Sequence, residues 1–403
     1  YRKLTCDKVG VMTPSDNPQA RALDWRADAP VIGYHAFHPD TSLNFQCNRW
    51  VQWIGPEAIP GVAALAARAD GYPEWIDGFL ALSEQARDQQ RTLAAAYFLR
   101  AAEFFMAPTD PRRPGFRARF LTDMRGLYQV QPTDVAYQGG ALPAYDLGPA
   151  GTPDDTVLIF GGFDSYVEEF LPMITGLAAA GYRVIAFDGP GQGGALEDHG
   201  LPMTPEWERP VAAVLDHFGI DHGVTAIGVS LGGGLVVRAA AFEPRLKRVI
   251  AFDILDDELE VVARQIGRGA AVGVRVLLAL RARALVNAAA RVAAAHKPVS
   301  AWGLQQGMHI TGTASAYDFL TAARGTSTRD ISDRVTGDVL LLAGADDHYV
   351  PLHQLSRQAE NLVGARSVTT RVFTADEDAG NHCQIGNLGL AVRFGLAWLD
   401  RLR

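Results

Sequence analysis

The chain of 403 residues predicts an α/β architecture: a mostly parallel sheet wound by helices, preceded by a helical domain and interrupted by a helical insertion. Two observations carry this. From residue 126 onward, short β-rich runs alternate with stretches of helical period, the pattern of a parallel sheet with helices packed on it. Before that point apolar residues recur at three- and four-residue spacing and no long strand is evident. Composition fixes the class. Apolar residues make up 48% and charged residues 20%, which is globular and excludes a largely disordered chain.

The elements follow in order. Residues 63–67 and 92–105 read as helices, the second with Arg100 and Glu103 left for solvent. Pro108, Pro111 and Pro114 punctuate its end. Residues 1–122 are therefore expected to form an N-terminal helical domain, followed by a first core segment over 123–254. Strands are expected at 126–130, 135–138, 141–147, 156–160, 182–187, 224–229, 248–253, 338–343 and 368–373. Helices are expected at 167–180, 206–218, 231–242, 352–362 and 388–402. Residues 255–334 break the rhythm with Ala- and Arg-rich helical text, too long for a loop in a compact domain. They read as a lid, with an extra helical layer away from the site as the alternative. Residues 335–403 complete the core.

The chemistry sits where strands run into loops, the edge at which ligands bind in such sheets. Gly228-Val229-Ser230-Leu231-Gly232 lies between a strand and a helix. A nucleophilic serine on so sharp a turn needs small residues two before and two after it. A serine hydroxyl is a weak nucleophile, so an acid and a histidine base are expected downstream, in that order. Gly344-Ala345-Asp346-Asp347-His348-Tyr349-Val350-Pro351 supplies the acid as Asp347, with Asp346 as a turn or cap residue. His382, after the last strand and before the final helix, is the base. His348 and His353 would line the pocket, and His199, His217 and His222 would lie at the surface. The oxyanion hole is expected from the N–H groups of Leu231 and Phe163, the latter in Gly161-Gly162-Phe163-Asp164. Asp188-Gly189-Pro190-Gly191-Gln192-Gly193 lacks both nucleotide-binding glycine patterns and the Lys-Ser/Thr of a phosphate loop.

Substrate contacts are expected from Asp253 at a strand end, Glu168 after the oxyanion loop, and Trp302, His309 and Tyr317 in the later lid. For Asp253 and Glu168 a loop or cap role stays open. The pocket is expected between the sheet edge, the lid and the helical domain. No metal or organic cofactor is required by this set of residues.

Partners are bounded by charge and hydropathy. The net charge is −8, with no basic stripe of the kind a general nucleic-acid binder shows. No apolar run reaches the roughly 18 residues needed to span a bilayer, and the longest, 270–280, is interrupted by Arg275. Cys6, Cys47 and Cys383 are too few and scattered for a disulfide framework or a four-ligand zinc site. A cytoplasmic, reducing compartment is expected, with no nucleic-acid or membrane partner. The helical domain offers a surface for a homodimer.

These motifs in this order resemble the α/β-hydrolase superfamily over residues 126–403. Phe187-Asp188-Gly189-Pro190-Gly191-Gln192-Gly193 is similar to a branch with an N-terminal helical domain that includes pseudooxynicotine-type C–C bond hydrolases and esterases. Asn44-Phe45-Gln46-Cys47-Asn48-Arg49-Trp50, the run from Gly161 to Glu169, and His382-Cys383-Gln384 resemble fungal hydrolases that shorten polyketides during yellowish-green pigment formation. The resemblance implies retro-Claisen cleavage of an aromatic or polyketide-like ketone through an acyl-serine. The same residues would serve an esterase or lactonase on a bulky aromatic substrate, or an acyltransferase or cyclase under a closed lid. A non-catalytic scaffold is disfavoured by the complete set. The Ala- and Arg-rich lid departs from the resemblance and leaves the substrate open.

Overall fold

The computed structural model describes residues 10–11, 24–26, 30–149, 151–153, 155–267 and 269–403. Cys6 and the other early residues of the expected helical domain lie outside them. After a short strand, β1 (Gly10–Val11), come five helices: α1 (Thr41–Ile54), α2 (Ile59–Ala66), α3 (Tyr72–Asp88), α4 (Thr92–Phe104) and α5 (Arg113–Tyr128). The strand expected at 126–130 does not form. Phe120, Leu121, Met124 and Leu127 keep the three- and four-residue spacing of a buried helical face, so α5 runs on until Gln129 ends it in a left-handed conformation. The first strand of the core starts at Thr133.

From there the elements are β2 (Thr133–Tyr137), β3 (Gly140–Gly148), β4 (Thr156–Phe160), α6 (Leu171–Ala179), β5 (Arg183–Phe187), α7 (Gly193–Glu197), α8 (Glu208–His217), β6 (Val224–Val229), α9 (Gly232–Phe242) and β7 (Leu246–Phe252). Five helices then intervene: α10 (Glu258–Ile266), α11 (Ala270–Ala279), α12 (Arg283–His296), α13 (Pro298–Thr311) and α14 (Ala316–Gly325). The chain closes with β8 (Asp338–Gly344), α15 (His353–Asn361), β9 (Ser367–Phe373) and α16 (Leu388–Asp400).

The strands form one sheet in the order β1-β3-β5-β4-β6-β7-β8-β9, with β2 also paired to β3. From β5 to β9 all pairings are parallel, whereas β3 runs antiparallel to β2 and β5. Successive residues of the central strands point to opposite faces. Ile159, Ile227, Ile250 and Leu340 face one core, shared with α1, α4, α6 and α16. Leu158, Ala226, Val249 and Leu341 face the other, shared with α8, α9 and α15. The helices between β7 and β8 keep a small core of their own around Leu259, Leu278, Leu304 and Phe319. Among the described residues no helix is long and apolar enough to cross a membrane.

One expectation about α4 is reversed. Arg100 and Glu103 are 2% and 1% exposed rather than facing solvent. The helix lies between α3 and α5 and against the sheet's loops, so it has no solvent face to give them. Each is buried in ion pairs instead.

Candidate functional site

Ser230 occupies the turn between β6 and α9 with φ of 61°, a left-handed conformation that a non-glycine residue adopts at a cost. Its N–H donates to the Phe252 carbonyl at 2.7 Å, which holds the turn against β7. The flanking glycines are dictated by space. A side-chain carbon on Gly228 would overlap the Gly232 carbonyl, and one on Gly232 would lie 2.6 Å from the Gly161 carbonyl oxygen.

His382 follows β9 and reaches back to this turn. Its Nδ1 lies 2.6 Å from Asp347 Oδ2, and its Nε2 lies 2.8 Å from Ser230 Oγ. A carboxylate only accepts, so Nδ1 carries the proton and Nε2 is left to accept from the serine hydroxyl. The N–H groups of Tyr349 and Val350 donate to Asp347 Oδ1 at 2.7 and 2.9 Å, fixing the carboxylate that faces His382. Asp346 is exposed. The structure thus brings Ser230, His382 and Asp347 into one hydrogen-bonded line and leaves Asp346 out of it.

Electrostatics favour charge separation along that line. Burial raises the Asp347 carboxyl, but His382 outweighs burial and the net shift is downward. Burial likewise opposes an imidazolium at His382, and the Asp347 carboxylate overcomes it, raising the imidazole. Such a pair stabilises the imidazolium formed when serine gives up its proton. Asp253 sits behind it, fully buried, with Oδ2 accepting from the Cys383 N–H at 3.1 Å and the Gln384 amide at 3.2 Å. Burial, then the nearby Asp347 charge, holds its carboxyl well above the ordinary range, so it is neutral. The donor atoms of Asp253, Asp347 and His382 lie within 4.8 Å of one another, close enough to hold a cation, yet hydrogen bonds already account for His382 between its neighbours.

Leu231 and Phe163 border the same cavity as Ser230. Among the described residues neither N–H donates to a backbone carbonyl, the state an oxyanion donor requires. The cavity, of about 170 Å³, is walled by Phe45 and Trp53 of α1, Val261 of α10, and Trp302 and Leu304 of α13. It lies at the carboxyl edge of the sheet, under helices from both the N-terminal stretch and the insertion.

Of the five tentative substrate contacts, the structure brings only Trp302 to this cavity. Glu168 is buried elsewhere, its Oε1 accepting from the Tyr145 hydroxyl at 2.6 Å and from Arg125 at 2.7 Å. His309 pairs with Glu197 at 3.0 Å, and the Arg283 guanidinium stacks on Tyr317 at 4.7 Å. Asp253 is screened by His382 and Cys383. Two histidines are also placed otherwise. His353 is exposed and contacts Glu260 at 2.7 Å, while His348 lies between the Phe45 and Tyr349 rings, lowered by burial to about 4. His199, His217 and His222 are at the surface as expected.

Polar residues that sequence reasoning did not assign also meet the cavity: Gln46 and Arg49 of α1, Asp164, Glu258 and Ser300. Arg49 pairs with Asp164 at 2.9 Å and Glu169 at 2.7 Å, and Arg100 joins Glu169 to Glu103 at 2.9 and 2.6 Å. Arg113 continues the chain from Glu103 to Glu197. The N-terminal helices thereby grip the loop after β4 that carries Phe163. One signal was visible: an Arg and a Glu three residues apart inside an otherwise apolar helix need partners.

The family described as alpha/beta hydrolase fold matches residues 155–271, which include the Ser230 turn. Among curated relatives, a 20-hydroxy-prefusarin hydrolase of Gibberella moniliformis is 28% identical over 76% of this chain and 79% of its own length. The chain has the α/β-hydrolase fold. A hydrolase of a Fusarium species is 31% identical over 54% of this chain, which spans 62% of that relative's length. The solved 2,6-dihydroxy-pseudo-oxynicotine hydrolase superposes with a TM-score of 0.62 over 87% of this chain and 94% of its own. At 21% identity that likeness is one of fold, and it takes in the helices before the sheet as well as the sheet.

Proposed function

We propose that this α/β-hydrolase cleaves a C–C bond, in the retro-Claisen sense, in an aromatic or polyketide-like ketone through an acyl-Ser230 intermediate. The observation that carries the reading is the Asp347–His382–Ser230 line opening into a largely apolar cavity roofed by helices. Two relatives named as hydrolases of a prefusarin and of a pseudo-oxynicotine support it. His382 takes the Ser230 proton as Oγ attacks the carbonyl, and the Phe163 and Leu231 N–H groups hold the oxyanion. Collapse of the adduct breaks the C–C bond, whose electron pair passes to a neighbouring carbonyl as an enolate. The imidazolium returns its proton to the leaving carbon. Water, activated by His382, then releases the acid and restores Ser230.

The buried free thiols Cys47 and Cys383 support a cytoplasmic, reducing setting. The test is a panel of aromatic β-diketones and aryl esters with matched acyl groups, assayed beside Ser230→Ala and fluorophosphonate labelling. Ser230→Ala is expected to lose the label and several orders of magnitude in turnover. Wild-type enzyme is expected to prefer the diketones. Faster turnover of short p-nitrophenyl esters than of every diketone would make it an esterase.

A further inference from the structure

The Ser230 line by itself does not distinguish a C–C bond from an ester, because it supplies nothing to the leaving group's second carbonyl. The cavity is also lined by an acid outside that line, Glu258. In the run Asp256-Asp257-Glu258-Leu259-Glu260, three acids are neutralised by cations. Asp256 meets Arg357 at 2.5 Å, Asp257 meets Arg275 and Arg329, and Glu260 meets Arg357 at 2.9 Å and His353 at 2.7 Å. Glu258 differs. It is 4% exposed, lines the cavity with Ser230 and His382, and among the described residues has no ion pair.

Among the described residues its one hydrogen-bond partner is the Thr326 hydroxyl, which lies 2.9 Å from Oε2 and also 2.8 Å from the Ala323 carbonyl oxygen, and Oε1 has none. The end of α10 is already capped, since the Glu260 N–H donates to Asp257 Oδ1 at 3.0 Å. A carboxylate in this position would be a buried charge without a counterion, which is costly, so the group keeps its proton. Burial raises it to about 7, with the Thr326 bond opposing and the Asp257 charge assisting.

Resting on the C–C reading above, we propose that Glu258 is a further catalytic residue, whose carboxyl O–H donates a hydrogen bond to the carbonyl oxygen of the leaving ketone as it becomes an enolate. No proton changes hands at that oxygen. The electron pair of the broken C–C bond moves onto it, and the proton for carbon still comes from His382. The substrate class this selects is a 1,3-dicarbonyl, or an acylated phenol that can accept charge in the same place. An O–H held in an apolar site is a strong donor to developing charge, whereas a p-nitrophenolate leaving group needs no such help.

The experiment compares Glu258→Gln and Glu258→Leu with wild type on an aroyl β-diketone and on the p-nitrophenyl ester of the same acyl group. Loss of a donor to developing oxyanion charge typically costs about 10²–10³ in kcat. Diketone cleavage is therefore expected to fall about 100-fold or more in Glu258→Leu and less in Glu258→Gln, which keeps an N–H donor. Ester hydrolysis is expected to stay within about threefold, the range of an uninvolved residue. Wild-type diketone cleavage should also decline above about pH 7, as Glu258 ionises, and that limb should be absent from Glu258→Gln. A parallel loss on both substrates would reveal a structural role and overturn the proposal, as would no loss on either. Wild-type enzyme that splits esters but no diketone would instead sink the C–C reading itself.

Discussion

Asp346 and Asp347 are adjacent in sequence, yet only Asp347 is buried, receives two backbone N–H groups and reaches His382. An amide in its place would present an N–H to Nδ1 and favour the tautomer with the proton on Nε2, which cannot take the serine proton. In the serine-protease template that change lowers kcat by about 10⁴. Asp347→Asn is expected to approach that loss, and Asp346→Asn to stay within a few-fold of wild type. Steady-state kinetics on the two variants decide it; equal losses would mean that Asp347 does not orient His382. The choice was legible because a strand, a short loop and Val350-Pro351 fix where the acid must stand. Asp253 was left open between a substrate contact and a loop role for a related reason. A strand's carboxyl end marks the functional edge, but only the fold shows that Asp253 lies behind His382 instead of in front of it.

The elements that hold the Phe163 loop were less legible than the strands. Short β-rich apolar runs and Gly-bearing turns mark strands locally, and β4 and β6 form where expected. Whether a helix has a solvent face is a tertiary property, and α4 has none at Arg100 and Glu103. The same locality explains 126–130, where the helical spacing of α5 continued past the point at which glycine suggested a change. The buried network gives a sign-definite prediction. Burial would raise the Glu169 carboxyl, but Arg100 and Arg49 outweigh it and hold it below the usual carboxylate range. A folded-state pKa below the unfolded value near 4.3 contributes stability above that pH, and loses it as pH falls through the folded value. Glu169→Gln should therefore be less stable than wild type at pH 7, by less than the roughly 3–5 kcal/mol of a fully broken buried pair, because Arg49 keeps Asp164 and Arg100 keeps Glu103. The gap should begin to narrow as pH falls below about 4.3 and close only below the depressed folded value, where wild type also carries a neutral group. Thermal melts across pH 3–7 test this, and a gap independent of pH would show that the Glu169 charge stabilises nothing.

At the scale of the whole molecule, the cavity is made by parts far apart in the chain, and Trp302 is where they meet. Its ring stacks on Phe104 of α4 at 4.8 Å, and its Nε1–H donates to the Phe104 carbonyl at 3.1 Å, while it also borders the cavity beside Phe163. The insertion is thereby pinned to the N-terminal helices through a residue that a bulky substrate would touch. Sequence order could say that Trp302 belongs to the insertion; the face it presents depends on how α13 packs across the sheet edge. An aromatic contact adds about 0.5–1.5 kcal/mol beyond area burial, or roughly a 2- to 13-fold effect on binding. Trp302→Ala is expected to raise KM for aromatic ketones by at least that factor and to lower Tm, because substrate contact and tether go together. Trp302→Phe keeps a ring in the cavity but loses the Nε1–H bond to Phe104, so it should recover KM more fully than Tm. Short aliphatic esters, which do not reach across the cavity, should change little in either variant. If their kcat/KM falls as far as that of the aromatic ketones, Trp302 acts by holding the Phe163 loop in place and not by contacting the substrate.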